Sequence, residues 1–221
     1  RTEIRMARKF YADRAQRVST RRQTRDDRQL EALAEIEVRR PRSYELQLGL
    51  TEPAPRRGMA VSARSAAVPG RLAPVTVDVM VGEHLLVTGV NGSGKSTLLT
   101  WLGRRSAPTE DSSGSLTVSG SVFWIPQHLP VLGDPGVDED VWVGGIGDRG
   151  QGALHPRLWN RPLSELSDGN QRRAQLALAA AAGPEVLVVD EPTNYLDLDA
   201  LEMLETALRS WTGTLIVASH D

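Results

Sequence analysis

Two hydrophobic rhythms run along this chain. Val75, Val77, Val79 and Val81 alternate with polar neighbours, the period-two pattern of a half-exposed antiparallel strand. Tyr44, Leu46, Leu48 and Leu50 alternate in the same way, and Met59–Ala63 and Leu116–Val118 predict further strands. The apolar runs His84–Thr88 and Glu185–Val189 suit buried strands, and Val122–Ile125 and Thr214–Ser219 add two more. Helical spacing appears over Ser96–Leu102, over Gln171–Ala182 before the stop signal Gly183-Pro184, and over Asp199–Trp211, where Leu201, Leu204, Leu208 and Trp211 lie on or near one face. Strands alternating with helices predict an α/β domain with a largely parallel sheet covered by helices, beside a small antiparallel β subdomain. Residues 128–165 are rich in Gly, Pro and Trp with weak periodicity, and predict a short irregular or helical insertion whose surface could meet a partner.

The first 42 residues break this rhythm. They hold thirteen Lys/Arg against seven Asp/Glu, with almost no Gly or Pro before Arg39-Arg40-Pro41-Arg42. Leu30, Leu33, Ala34 and Glu37 fit helical spacing, so residues 1–42 predict a basic helical arm and residues 43–221 a globular body. Such an arm suits a solvated spacer, half of a helical hairpin, or contact with nucleic-acid phosphates. The chain has 221 residues, enough for one domain with an appendage, and no Cys, which excludes disulfides and thiolate metal sites and is compatible with the cytosol. It has no run of eighteen apolar residues and no signal-peptide pattern, so no integral membrane segment is expected. It opens on Arg1 and stops at Asp221 directly after a strand-like run, which reads as a piece of something longer.

Chemistry concentrates at Gly89-Val90-Asn91-Gly92-Ser93-Gly94-Lys95-Ser96-Thr97, between an apolar run and a helix. This is the P-loop pattern: glycines let backbone N–H groups curl around a phosphate, and the following helix aims its positive end at the anion. Lys95 supplies a compact positive charge for the β/γ-phosphates, and the Ser96 hydroxyl suits Mg²⁺. Lys95 is one of only two lysines in the chain. Downstream, Leu187-Val188-Val189 ends in Asp190-Glu191. This placement suits Asp190 for the metal and Glu191 for taking the proton from, or orienting, the attacking water. Gln127 follows the strand entering the insertion and could report on metal or water; His220 ends the last strand, where a ring N–H could donate to the γ-phosphate.

The ordered set of P-loop, Gln127, Leu166-Ser167-Asp168-Gly169-Asn170, Asp190-Glu191 and His220 resembles the nucleotide-binding domain of the ATP-binding cassette superfamily, from about residue 44 to the end. The resemblance implies ATP and Mg²⁺ as ligands. Gly89, Asn91, Gly92, Ser93, Gly94, Lys95, Ser96 and Thr97 would hold the nucleotide, Ser96, Gln127 and Asp190 the metal, and Glu191, His220 and Gln127 would carry hydrolysis. It further implies that Ser167 and Gly169 contact the γ-phosphate bound by a facing cassette, and that Leu196-Asp197 couples the two sites. Glu191-Pro192-Thr193-Asn194-Tyr195-Leu196-Asp197 resembles more narrowly the ABC-F subfamily, in which a charged helical linker joins two cassettes and works on the ribosome near transfer RNA. On that resemblance residues 1–42 are the end of the linker, the rest is the second cassette, and the Arg-rich, Lys-poor sequence is similar to the antibiotic-resistance branch. Three residues depart from the pattern. Asp168 stands where Gly is commonest, Tyr195 replaces the usual His, and no aromatic residue lies between Tyr44 and the P-loop to stack on adenine, which implies loose base selectivity. A transporter's nucleotide-binding subunit, and an ATP-gated binding module with little turnover, are the alternative readings.

Overall fold

The structure, a computed structural model, describes residues 46–219. The expected helical arm, Tyr44 and His220 lie outside the described residues.

The period-two segments form one antiparallel sheet in the order β2-β1-β4, from β1 (Met59–Val68), β2 (Leu72–Met80) and β4 (Ser113–Val118). The β1–β2 turn is closed by the Arg71 N–H donating to the Val68 carbonyl at 3.0 Å, with Gly70 at φ 69°. Val79 is buried and Val75 and Val77 are half-buried, as the alternation predicts. β1 runs five residues past the expected Ala63, crossing irregular register beside Ser65, whose φ is 47°.

The apolar runs form a second, parallel sheet in the order β3-β7-β6-β5, from β3 (His84–Val87), β5 (Val122–Ile125), β6 (Val186–Asp190) and β7 (Thr214–Ala218). Its two faces are read directly from alternation. Trp124, Val186, Val188 and Ile216 join one core with helix α1 (Lys95–Arg104) and the antiparallel sheet. Phe123, Ile125, Leu187, Val189 and Leu215 join the other, with helices α3 (Asp168–Ala182) and α4 (Leu198–Ser210) and the insertion. The insertion holds helix α2 (Glu139–Gly144), capped by the Asp138 carboxylate accepting from Val141 N–H at 2.8 Å, and three short 3-10 turns. Trp159 packs inside it, its indole N–H donating to the Leu154 carbonyl at 2.9 Å.

Register decides what the sheet positions. Val87 pairs with Ala218, Ala218 with Asp190, and Val189 with Ile125. All four strands therefore end on one rim, and the residues following them converge there, the usual ligand position in an open α/β sheet.

Three expectations need correction. Leu46–Leu50 is not a strand: Leu48 is buried and Leu46 and Leu50 pack on the core, but the backbone is tied by Gln47 N–H to the Gly152 carbonyl at 2.8 Å rather than by a ladder. Trp211 anchors its end, the indole N–H donating to the Thr51 carbonyl at 3.1 Å. The run His84–Val87 is an edge strand rather than a buried one, and Leu86 is 57% exposed. Helix α3 begins at Asp168, three residues before the expected Gln171, because a helix's first turn tolerates Gly and favours an acid beside its unpaired N–H groups.

Candidate functional site

The loop between β3 and α1 owes its shape to glycine. Gly92 and Gly94 have φ of 80° and 98°, and a Cβ on Gly94 would meet the Arg71 carbonyl and lie 3.0 Å from the Leu72 Cα. A Cβ on Gly89 would lie 2.8 Å from the Ser93 hydroxyl. The loop is thus wedged against the β1–β2 turn. Replacing Gly94 by Ala is expected to cost about 1–3 kcal/mol of stability through the forced left-handed conformation and the backbone clash. Chemical denaturation that gives an unchanged unfolding free energy would contradict this packing.

Lys95 is 8% exposed, and its ammonium donates to the Gly89 carbonyl at 2.7 Å and reaches Val90 O at 3.4 Å. The first residues of the chain's phosphate loop thus hold the charge at their own mouth. Asn91, Gly92, Ser93 and Ser96 are exposed, so the loop faces solvent on the side where an anion would approach.

A cavity of about 680 Å³ opens beside this loop. Ser96 from α1, Gln127 after β5 and Asp190 at the end of β6 all line it, so the three residues expected at a metal come together. Asp190 is 3% exposed, and its Oδ1 is buried without a hydrogen-bond partner. An orphaned buried carboxylate oxygen beside a hydroxyl and an amide fits a hard divalent cation with oxygen ligands. Among the described residues no three His, Cys, Asp or Glu cluster as a metal cage, so such a cation would complete its shell from phosphate oxygens and water.

Glu191 is also 3% exposed but is not among the cavity's lining residues. Its backbone is left-handed at φ 52°, a costly conformation for a non-glycine residue, and its N–H donates to the Ala218 carbonyl at 3.0 Å. The strand end after β7 is held nearby, Ser219 N–H donating to the Val87 carbonyl at 3.2 Å. His220 itself lies outside the described residues.

Ser167 and Gly169 behave differently. They sit at the start of α3 and line neither the cavity nor the P-loop. Ser167 is exposed and makes no side-chain capping bond, which leaves its hydroxyl available. A Cβ on Gly169 would lie 3.2 Å from the Tyr195 carbonyl, and Tyr195, at φ 68°, lines the cavity. Asp168 is exposed in the first turn of α3, where its charge complements the helix dipole. Asp197 caps α4, accepting from Ala200 N–H at 3.0 Å, and both its oxygens accept from Arg173 of α3 at 2.6 Å. Burial acts to raise its pKa, but the Arg173 and Ala200 hydrogen bonds outweigh that and hold it below the usual carboxylate range.

A second cavity of about 440 Å³ touches Gly92 and Ser93 and is otherwise walled by residues 67–74 and Ser113, including Pro69, Arg71 and Pro74. It has no aromatic lining residue. Sequence reasoning missed Arg71, Trp124 and Asn194 as cavity walls, and above all Arg172, a fully buried cation beside Asp190 and Glu191. No sequence signal singled out Arg172, because the adjacent pair Arg172-Arg173 reads as a solvated helix face.

Fold and site together define a P-loop nucleotide-binding domain. The ABC transporter family model matches residues 72–131, and an AAA domain model matches residues 156–221. The tylosin resistance ATP-binding protein TlrC of Streptomyces fradiae is 35% identical over 148 residues, 63% of this chain and 26% of that protein. The ATP-binding protein Uup of Caulobacter vibrioides is 34% identical, covering 65% of this chain and 26% of its own length. The ribosome protection protein VmlR of Bacillus subtilis is 30% identical over 63% of this chain and 27% of its own. The chain thus spans about a quarter of the length of these relatives. The dimeric structure of MJ0796, a bacterial ABC transporter cassette, superposes with a TM-score of 0.56 at 21% identity, over 73% of this chain and 88% of that one. The chain is similar to proteins of the ATP-binding cassette superfamily, and the curated relatives named here are of the ABC-F type.

Proposed function

We propose that this chain is the second cassette of an ABC-F type protein, preceded over residues 1–42 by the end of its helical linker, and that it binds and hydrolyses ATP as a switch on the ribosome. The cassette spans residues 43–221, with residues 128–165 as its insertion. The observation that carries the nucleotide reading is the convergence of Ser96, Gln127 and Asp190 on one cavity beside the Lys95 loop.

In this reading the triphosphate lies on the backbone N–H groups of residues 89–97, and Lys95 neutralises its β/γ oxygens. Ser96, Gln127 and Asp190 would hold magnesium, Asp190 directly or through water. Magnesium, when bound, neutralises the polyphosphate and polarises the transferred phosphoryl group. Glu191 accepts a proton from water as its oxygen bonds to the γ-phosphorus and the bond to ADP breaks; His220 donates to the γ-phosphate. Ser167 and Gly169, which line neither of the two cavities described, act on the nucleotide of a facing cassette. Full activity therefore needs the facing cassette. The absence of an aromatic residue among those lining the cavity beside Gly92 and Ser93 supports loose selectivity among bases.

Similarity to TlrC, a tylosin resistance ATP-binding protein, and to VmlR, a ribosome protection protein, supports the ribosomal role and the cytoplasmic setting it requires. Among the described residues no helix is long and apolar enough to cross a membrane. ATP shifts the cassettes toward the closed state by binding it more tightly. The full-length protein is expected to co-sediment with ribosomes in a non-hydrolysable ATP analogue and to be released in ADP; equal recovery in both nucleotides would reject the switch. The match of residues 72–131 to the ABC transporter model favours a second reading, a transporter subunit. That reading requires a membrane partner docked at Gln127 and residues 128–165, and recovery with membranes rather than ribosomes in the same experiment.

A further inference from the structure

Arg172 has no role in the mechanism above, yet it is 0% exposed and sits at the junction of three segments. Its Nη1 donates to the Pro126 carbonyl at 2.6 Å and to Gln175 Oε1 at 3.0 Å. Its Nη2 donates to the carbonyls of Asp190 at 3.1 Å and Glu191 at 3.0 Å. Gln175, one turn along the same helix, donates to the His128 carbonyl at 3.3 Å. Gln127 is therefore bracketed, with the carbonyl of the residue on each side, Pro126 and His128, tied to α3, and the carbonyls of Asp190 and Glu191 are tied to the same guanidinium.

This is a costly arrangement. These four acceptors of Arg172 are neutral amide oxygens rather than carboxylates, and its Nε is buried with no partner. Burial pulls its pKa down to about 10, against the opposing pull of Asp190 and Tyr195, so it stays charged at neutral pH. A buried cation so arranged is poor value for stability, since an apolar side chain of similar volume would fill the space without that desolvation cost. What the arrangement does supply is geometry. Glu191 sits at φ 52°, which persists only if its surroundings over-determine it. Its N–H is held by Ala218 and its carbonyl by Arg172 and by Asn194 N–H at 3.3 Å.

We infer that Arg172, supported by Gln175, is a positioning residue that fixes the backbones of Gln127 and Glu191 and ties both to the helix beginning at Ser167. The inference rests on the ATPase reading. Arg172 does not touch nucleotide; it sets the direction in which the side chains of Gln127 and Glu191 leave the rim. Because α3 carries Ser167 and Gly169 at its start, the same guanidinium also ties the motif offered to a facing cassette to the residues that act on this chain's own nucleotide.

The test uses Arg172→Met and Arg172→Lys in the full-length protein, alone and combined with Glu191→Gln. Arg172→Met is expected to lower kcat by about 10–100-fold, the scale of an ångström-level misplacement in an active site, with KM and ATP affinity within about threefold of wild type. Arg172→Lys, which keeps the charge and some donors, recovers part of kcat. In the Glu191→Gln background Arg172→Met adds less than about threefold, because groups that act as a unit are non-additive. Wild-type kcat in a folded Arg172→Met protein, or losses that multiply in the double variant, would overturn the inference while leaving the ATPase reading intact. If Arg172→Met does not fold, Arg172→Lys and Gln175→Leu carry the same kcat-against-KM comparison, and an unchanged kcat in both overturns it. A wild-type protein without ATP turnover overturns the ATPase reading and this inference with it.

Discussion

Replacing Glu191 by Gln is expected to reduce steady-state ATP turnover by about 10²–10⁴-fold, the usual contribution of a positioned general base. ATP binding should be retained. The amide keeps the size and hydrogen-bonding capacity of the carboxylate but cannot take a proton at neutral pH. Glu191 is not among the residues that line the cavity of about 680 Å³ whereas Asp190 is, so the substitution leaves the cavity wall unchanged. On the proposed switch, the full-length protein should then accumulate in the closed, ribosome-retained state. Quenched-flow turnover at the wild-type rate would remove Glu191 from the base role.

Lys95→Ala should act one step earlier. The ammonium is the only lysine charge in the described residues, and the loop carbonyls of Gly89 and Val90 fix where it points. Removing it leaves the polyphosphate facing backbone N–H groups and Ser96, with no compact cation at the loop. A hydrogen bond to a charged group is worth about 1.5–3 kcal/mol, so ATP affinity should fall by about 10–100-fold, with turnover lost at ordinary ATP concentrations. The two variants then separate the steps: Glu191→Gln binds without hydrolysing, whereas Lys95→Ala scarcely binds. An affinity in Lys95→Ala within twofold of wild type, measured by equilibrium fluorescence, would take the nucleotide off this loop.

How much of this was legible in the residues differs from place to place. The P-loop, Gln127 and Asp190-Glu191 were readable because each follows a strand end, where an apolar run gives way abruptly to Gly, Pro or Asp. Parallel register then does the rest, bringing residues 89–97, Gln127 and Asp190 to one rim although they lie far apart in the chain. The alternation at Tyr44–Leu50 misled because burying every second side chain needs only an extended backbone, and a strand also needs a partner ladder. At Leu46–Leu50 the side chains pack on the core without one. β3 misled in the opposite direction: Leu85 and Leu86 read as interior, but the strand pairs with β7 on one side only among the described residues.

Arg172 was invisible for a different reason. Two adjacent arginines in a helix normally signal a solvated face, and here the pair straddles the boundary: Arg173 reaches out to Asp197 while Arg172 turns inward to backbone carbonyls. Its partners are peptide oxygens, which carry no residue-type signature, so no spacing rule could have announced them. Ser167 and Gly169 show the reverse case. The sequence marked them strongly, yet they line neither of the two cavities described above.

Isothermal titration of the folded, full-length protein with ATP and magnesium tests the central claim most directly. The account predicts saturable binding at the P-loop of this cassette, weakened by Lys95→Ala and preserved by Glu191→Gln. Heat signals that never saturate, or a saturable site that Lys95→Ala leaves untouched, would contradict it.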